Sequence, residues 1–314
     1  MPSLPANMMA RGGQWKQRCG PSGLHLFDRA SGLNILLDEV PVPANLWSSA
    51  PRQVSIALTN KCDLACKHCF APKSRDELRY EEVAAWIIEL DSNGCLGVGF
   101  GGGEPTLHPS FAELCQFTAI ETRLAVTFTT HGHHVDERLA DLLRGNVHFI
   151  RVSVDGVGAT YESIRRRSFS TLKTRLGLIA EIAPFGINFV VNEQTLPDLD
   201  AAAALCEETG ATELVLLPQI PVRLAPGIDE QTKHQLRAWV TRYRGRPRLA
   251  ISETHADGFP TCEPLPDERG LRAYAHIDAG GILKATSFDG AGVEIGTGRV
   301  IDALGRLNRD LGKE

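Results

Sequence analysis

No run of this 314-residue chain reaches the roughly 20 apolar residues that a membrane-spanning helix requires. Met1 to Arg18 lacks the apolar core of a signal peptide. Basic residues are not in excess: 33 Lys and Arg stand against 38 Asp and Glu, giving a net charge of -5. That balance speaks against a nucleic-acid partner, because phosphate binding calls for a basic surface. Low-complexity tracts are absent, and there is no internal repeat beyond the alternation described below. A disulfide framework is missing too, since of the cysteines at 19, 62, 66, 69, 95, 115, 206 and 262 three cluster and five are scattered. No cysteine follows residue 262. These absences lead us to expect a protein of the reducing cytoplasm, with neither membrane nor nucleic acid as partner.

The composition, 43% hydrophobic and 23% charged, supplies ample core for a globular fold. From Val54 onward short apolar runs alternate with helical patterns. The runs are Val54–Leu58, Gly97–Phe100, Leu124–Phe128, Phe149–Val154, Ile187–Val191 and Glu213–Leu217. Between them lie Glu81–Leu90, Phe111–Thr118, Asp136–Leu143, Leu172–Ile182 and Leu199–Glu208, and Ile228–Tyr243 makes a sixth helix. Buried parallel strands read this way. Six β-α units in succession predict an α/β fold with a parallel sheet, either open and doubly wound or a full or partial barrel. Three segments are expected: a loose tail to residue 22 and a β-hairpin over Leu24–Leu37 (1–50), the β-α core (51–245), and a small β appendage with a final helix (246–314).

The chemistry gathers at strand ends. Cys62, Cys66 and Cys69 follow the first strand in a C-x3-C-x2-C pattern. Three close thiolates suit an iron–sulfur cluster or zinc, and zinc normally takes a fourth protein ligand at a structural site. A four-iron cluster on three thiolates keeps one iron open. Gly101-Gly102-Gly103-Glu104-Pro105-Thr106 follows the second strand, where glycines permit close backbone approach and the carboxylate can accept from an ammonium. Thr129-Thr130-His131-Gly132 follows the third, and the adjacent His133 and His134 read as a solvated loop. Arg151-Val-Ser153-Val-Asp155-Gly156 ends the fourth, with Tyr161-Glu-Ser-Ile-Arg165 downstream.

Taken together, these motifs resemble the radical S-adenosylmethionine (radical SAM) superfamily. The fold that the resemblance implies is a partial (β/α)6 TIM-like barrel. The cofactors it implies are one [4Fe-4S] cluster on Cys62, Cys66 and Cys69 and S-adenosylmethionine on its open iron. One-electron cleavage of SAM would give a 5′-deoxyadenosyl radical that abstracts hydrogen from substrate. Carried over by motif, Gly102, Gly103 and Glu104 would hold the methionine amine, and Arg165 its carboxylate. Ser153 would meet the ribose or carboxylate, with Asp155 in the same segment; Thr130 of the third motif would also contact SAM, and Asn192 and Leu216-Leu217-Pro218 would lie near the ribose and adenine. His131 stands where the family has Asn.

The tail is similar to the SPASM or twitch extensions of the peptide-modifying branch. Cys262 sits at the first ligand position, Ala275–Lys284 outlines the hairpin, and Lys284-Ala-Thr-Ser287 occupies the place of the next cysteine. A single cluster is therefore expected, and Cys262 becomes a candidate hydrogen-atom donor. The implied function is hydrogen abstraction from a peptide, leading to epimerisation or side-chain crosslinking, with an electron donor such as flavodoxin or ferredoxin. The alternatives are a small-molecule substrate (tetrapyrrole, sugar or cofactor precursor) and a non-catalytic metal-binding protein.

Overall fold

The computed structural model of the chain describes residues 15–252, 256–262, 265 and 267–312. Its first element is β1 (Trp15–Gly20), which pairs with β2 (Gly23–Asp28), itself paired with β3 (Asn34–Leu37). The expected tail therefore yields to a strand from Trp15 onward, and the N-terminal hairpin is a three-stranded antiparallel sheet. Residues 1–14 of that tail lie outside the described residues. A buried guanidinium accounts for the ordering of β1. Arg18 meets Glu268 at 2.9 Å and donates to the carbonyls of Ala50 (2.8 Å), Gly94 (3.0 Å) and Arg272 (3.0 Å), tying the small sheet to the rest of the fold.

The β-α alternation follows as expected. It runs β4 (Gln53–Thr59), α1 (Tyr80–Ser92), β5 (Gly97–Gly102), α2 (Phe111–Glu121), β6 (Ala125–Thr130), α3 (Glu137–Leu143) and β7 (Phe149–Ser153). Then come α4 (Ala159–Arg165), α5 (Phe169–Ile182), β8 (Phe185–Val191), α6 (Leu199–Thr209), β9 (Glu213–Pro218) and α7 (Glu230–Arg242). The tail supplies β10 (Arg248–Ile251), β11 (Tyr274–Ile277), β12 (Ile282–Lys284), β13 (Val293–Glu294) and α8 (Val300–Asp310). One sheet holds β10-β9-β8-β7-β6-β5-β4-β11-β12-β13. Neighbours pair in parallel from β10 to β11, and β12 and β13 are antiparallel. The C-terminal extension thus enters the barrel wall, because β11 lies in register beside β4, with His276 opposite Ser55.

The strands bury one face against the helices: Val54, Ile56 and Leu58 of β4, Ile150 and Val152 of β7, and Ile187, Phe189 and Val191 of β8 are inaccessible to solvent. The other face is not the branched apolar filling of a closed barrel. It carries Gln53 and Ser55, Arg151 and Ser153, and Asn188, around an open cavity. Runs such as Phe149-Ile-Arg-Val-Ser153 are therefore alternating strands with one polar, cavity-facing side. Among the described residues no helix is long and apolar enough to cross a membrane.

Candidate active site

The cavity, about 800 Å³, opens at the carboxyl ends of the strands, where ligands bind in parallel α/β folds. The loop after β4 brings Cys62, Cys66 and Cys69 to its wall. The Cys69 N–H donates to the Cys66 carbonyl (3.2 Å), the Leu64 N–H lies 3.4 Å from Cys62 Sγ, and Lys73 Nζ lies 3.4 Å from Cys69 Sγ. All three thiols are free. Burial pushes the Cys62 and Cys66 thiols up, against the Leu64 N–H at Cys62 and the Arg165 charge at Cys66.

The glycine loop continues the β4–β5 ladder onto this loop. Gly103 N–H donates to the Thr59 carbonyl at 2.7 Å, and Glu104 N–H to the Lys61 carbonyl at 2.8 Å. Gly102 has φ 121°, a region that glycine alone enters freely. A β-carbon on Gly103 would stand 2.2 Å from the Lys61 carbonyl oxygen. Gly103→Ala is expected to lower stability by about 1–3 kcal/mol as the loops part. Gly101→Ala, whose β-carbon would meet nothing within 4 Å, should unfold like wild type. Urea midpoints of the two variants check this, and equal midpoints would refute the close-approach argument.

Glu104 is buried and its carboxylate is tightly positioned. Its Oε1 accepts from the Thr106 N–H (3.2 Å) and from the hydroxyls of Thr106 (2.7 Å) and Thr130 (2.8 Å). Its Oε2 accepts from the His131 N–H at 2.9 Å. The histidine that replaces the expected Asn is also buried. His131 Nε2 lies 2.9 Å from Asp63 Oδ1 and 3.3 Å from Glu104 Oε2, linking the cysteine loop to the glycine loop. The reading of His133 and His134 as a solvated loop is corrected in part. The His133 ring bonds the Tyr161 hydroxyl at 2.7 Å, and burial pushes its pKa down to about 4. His134 Nε2 stands 3.3 Å from Asp63.

Asp155, expected as a ligand contact, lines the cavity and is also a buried anchor. Its Oδ1 accepts from the Val190 N–H (2.9 Å), and its Oδ2 meets Arg165 Nη2 (2.5 Å) and His68 Nε2 (2.8 Å). One carboxylate thus joins β7, β8, α4 and the cysteine loop. Burial alone would raise its pKa, but the Arg165 guanidinium and His68 hold it well below the usual carboxylate range. Arg165 lines the cavity, and its buried Nε has no hydrogen-bond partner. Ser153 lines the cavity as well.

Three sequence-level assignments fall elsewhere. Asn192 does not line the cavity among the described residues, because its amide is spent on Gln219 Oε1 (2.7 Å) and on the Thr195 N–H (3.0 Å). Leu216 is 1% exposed on the helix-facing side of β9, and Leu217 and Pro218 face the cavity instead. Strand parity decides this, since a shift of one residue changes the face. Cys262 is exposed and is not among the cavity-lining residues. Cys95, Cys115 and Cys206 are core, as expected. In place of the missing cysteine near Lys284, Ser287 and Phe288 reach the cavity rim, with the Phe288 ring 4.5 Å from that of Phe70.

Sequence reasoning missed His68, Asn188, Glu213, Arg248, Ser55, Tyr274 and His276, all of which line the cavity. The available signal was polar residues at alternate positions of otherwise apolar strands. Cys62, Asp63 and His131 offer ligand atoms within 4.8 Å of one another, a spacing that fits a single ion. The Asp63 carboxylate, however, is already paired with Arg167 at 2.7 Å.

Residues 56–202 match the radical SAM superfamily. Mycofactocin maturase MftC of Mycolicibacterium smegmatis is 32% identical over 223 residues, covering 67% of this chain and 57% of that protein. Fe-coproporphyrin III synthase of Methanosarcina barkeri is 31% identical over 159 residues, 48% of this chain and 40% of that one. The chain therefore spans 40% to 57% of the length of these curated relatives. The crystal structure of Streptococcus suis SuiB bound to S-adenosylmethionine superposes with a TM-score of 0.74 over 93% of this chain and 87% of that one, at 14% identity, a likeness of fold.

Proposed function

Because the chain carries a radical SAM domain over residues 56–202, we propose that it is an enzyme that uses a [4Fe-4S] cluster and SAM to take a hydrogen atom from a peptide substrate. The observation that carries this reading is the convergence of three free thiols, Glu104 and an Arg165 with an unmet buried Nε–H on one rim of the cavity.

The residues fit the implied groups. Three thiolates with no fourth cysteine in the cavity lining among the described residues suit a cluster with one open iron. An unpaired guanidinium N–H inside a cavity is costly unless a ligand acceptor completes it, which suits the SAM carboxylate. Once bound, the cluster and SAM supply a hydrogen-atom acceptor strong enough for an unactivated C–H bond. The chain's own residues do the rest. Cys62, Cys66 and Cys69 would hold the cluster, and Glu104, set by Thr106, Thr130 and His131, would hold the SAM ammonium. Arg165 would hold the carboxylate and is oriented by Asp155. Gly102 and Gly103 keep the two loops close, and Ser153, Leu217 and Pro218 line the path inward.

The peptide substrate is supported by the maturases among the relatives, mycofactocin maturase MftC and the sporulation killing factor maturation protein SkfB of Bacillus subtilis. Whether abstraction ends in epimerisation or crosslinking depends on the substrate. A second reading, a small-molecule substrate, is favoured by the similarity to Fe-coproporphyrin III synthase.

Anaerobic reconstitution should give about four irons per chain. Strongly reduced protein with SAM should release 5′-deoxyadenosine, and a substrate deuterated at the target carbon should pass its deuterium into that product. Absence of 5′-deoxyadenosine from the iron-loaded wild type would falsify the enzymatic reading. Turnover of a tetrapyrrole but of no peptide would select the second.

A further inference from the structure

Below its rim the cavity runs down into the barrel, and one row of residues there is built for charge. Arg151 of β7, Gly186 of β8, Glu213 of β9 and Arg248 of β10 are register neighbours across four strands. A β-carbon on Gly186 would stand 3.1 Å from the Glu213 carbonyl oxygen and 3.2 Å from the Phe149 ring. Glycine at this position leaves open the lane along which Arg151 Nη1 approaches Glu213 Oε2 at 2.6 Å. Arg248 takes the other oxygen, with Nε at 3.1 Å and Nη2 at 2.7 Å from Oε1. The Glu213 side chain is 4% exposed, and Arg151 keeps 35% of its surface open.

Two guanidiniums share one carboxylate, so the row carries a net positive charge, spread over Arg248, whose side chain is 77% exposed, and Arg151, which is part open to the cavity. Arg151 Nη1 and Glu213 Oε2 are both buried and face each other as an ion pair without a well-aligned hydrogen bond, and the Arg151 guanidinium lies 5.2 Å from the centre of the Phe149 ring. One row up, opposite Ser153, Asn188 faces the same cavity, and its buried Oδ1 has no donor. The Asn188 oxygen is expensive to leave so: a buried unmet polar atom costs about 1–3 kcal/mol. The glycines at 97, 99 and 101 on the inward positions of β5 place no side chain in the same space.

A part-open guanidinium in a net positive row, beside an unmet acceptor, is the complement of a carboxylate with a neighbouring N–H. We propose that the barrel floor is the substrate subsite, in which Arg151 binds a substrate carboxylate and Asn188 Oδ1 accepts an N–H close to it. This rests on the enzymatic reading above and names its substrate class, an acid. Such an acid can be an acidic side chain or chain end of a peptide, or a propionate of a tetrapyrrole with its pyrrole N–H. The planar fork of Arg suits carboxylate recognition, and Glu213 is the carboxylate with which a substrate acid competes for it.

The test uses full-length, cluster-loaded protein with SAM bound. Four probes are titrated by calorimetry: N-acetyl-glutamate N-methylamide, its neutral isostere N-acetyl-glutamine N-methylamide, a short peptide with a free C-terminal carboxylate, and coproporphyrin III. At least one acid should bind tenfold or more tighter than its neutral counterpart (the C-terminal amide for the peptide, the tetramethyl ester for the porphyrin), and which one does identifies the source. Arg151→Gln should erase that preference. Glu213→Gln should strengthen acid binding severalfold, because Arg151 is released from its competitor. A purely structural ion pair predicts the opposite sign, with both variants weakening every probe alike. Equal binding of all the acids and their neutral counterparts, or weaker acid binding in Glu213→Gln, overturns the proposal. Release of 5′-deoxyadenosine by the same preparation reports the enzymatic reading separately.

Discussion

Cys66→Ala is expected to bring bound iron from about four per chain to below one, and 5′-deoxyadenosine release to the level of a protein-free control. Cys66 is the middle thiol of the triplet, 8% exposed, and burial raises its pKa against the Arg165 charge. With it gone, two thiols remain, and two cannot hold a four-iron cluster. The scattered cysteines cannot substitute. Cys115 is buried in α2, where burial raises its thiol far above the ordinary value, and Cys262 is exposed away from the cavity lining. Cys115→Ala should therefore keep its iron and its SAM cleavage. Iron analysis and product assay on the two variants decide the matter. A Cys66→Ala protein with full iron would place the cluster elsewhere.

Asp155→Ala is expected to cost about 3–5 kcal/mol, because it strands the buried Arg165 charge and removes the acceptor for His68 and the Val190 N–H. SAM binding should weaken along with stability, since Arg165 loses the group that aims it. Asp155→Asn keeps an acceptor for Val190 and should fall between the two. The pH dependence follows from the direction of the Asp155 shift. A carboxyl whose folded pKa is depressed stabilises fully above its unfolded pKa of about 3.9 and loses that contribution as pH falls through the folded value. The gap between wild type and Asp155→Ala should narrow as the pH falls from about 5 into stronger acid. Urea denaturation across that range measures it. A variant as stable as wild type at pH 7 would show that Arg165 finds another partner.

Legibility in the sequence followed the range of the interactions. Cys62, Cys66 and Cys69 lie within eight residues, so their common purpose could be read without a fold. The glycines at 102 and 103 were legible as a close approach, though not that their partners are the Thr59 and Lys61 carbonyls. The parallel β-α core was legible because each strand has one face packed on helices and an apolar centre. Residues 15–20 read as tail because nothing local marks a strand whose order depends on Arg18 reaching Glu268, 250 positions away. Asn192 and Leu216 were placed by motif; the loop after β8 turns the Asn192 amide to Gln219 and Thr195, and the parity of β9 turns Leu216 to the helices. Cys262 was singled out by the cysteines missing around it, and the fold leaves it exposed.

By itself the sequence determined the α/β class, the cysteine triplet within one loop, and the lack of any cysteine over residues 263–314. All of these depend on residue type and on spacing within one loop or one strand. Only the tertiary structure decided what stands below the cluster loop. Arg151, Gly186, Glu213 and Arg248 are spread over 98 positions of sequence and become one row only when four strands align in register. Tyr274 and His276 reach the cavity only because β11 pairs with β4. The triplet announces itself because covalent geometry sets its reach. The floor beneath it is silent in the sequence because hydrogen-bonded register and barrel curvature bring it together.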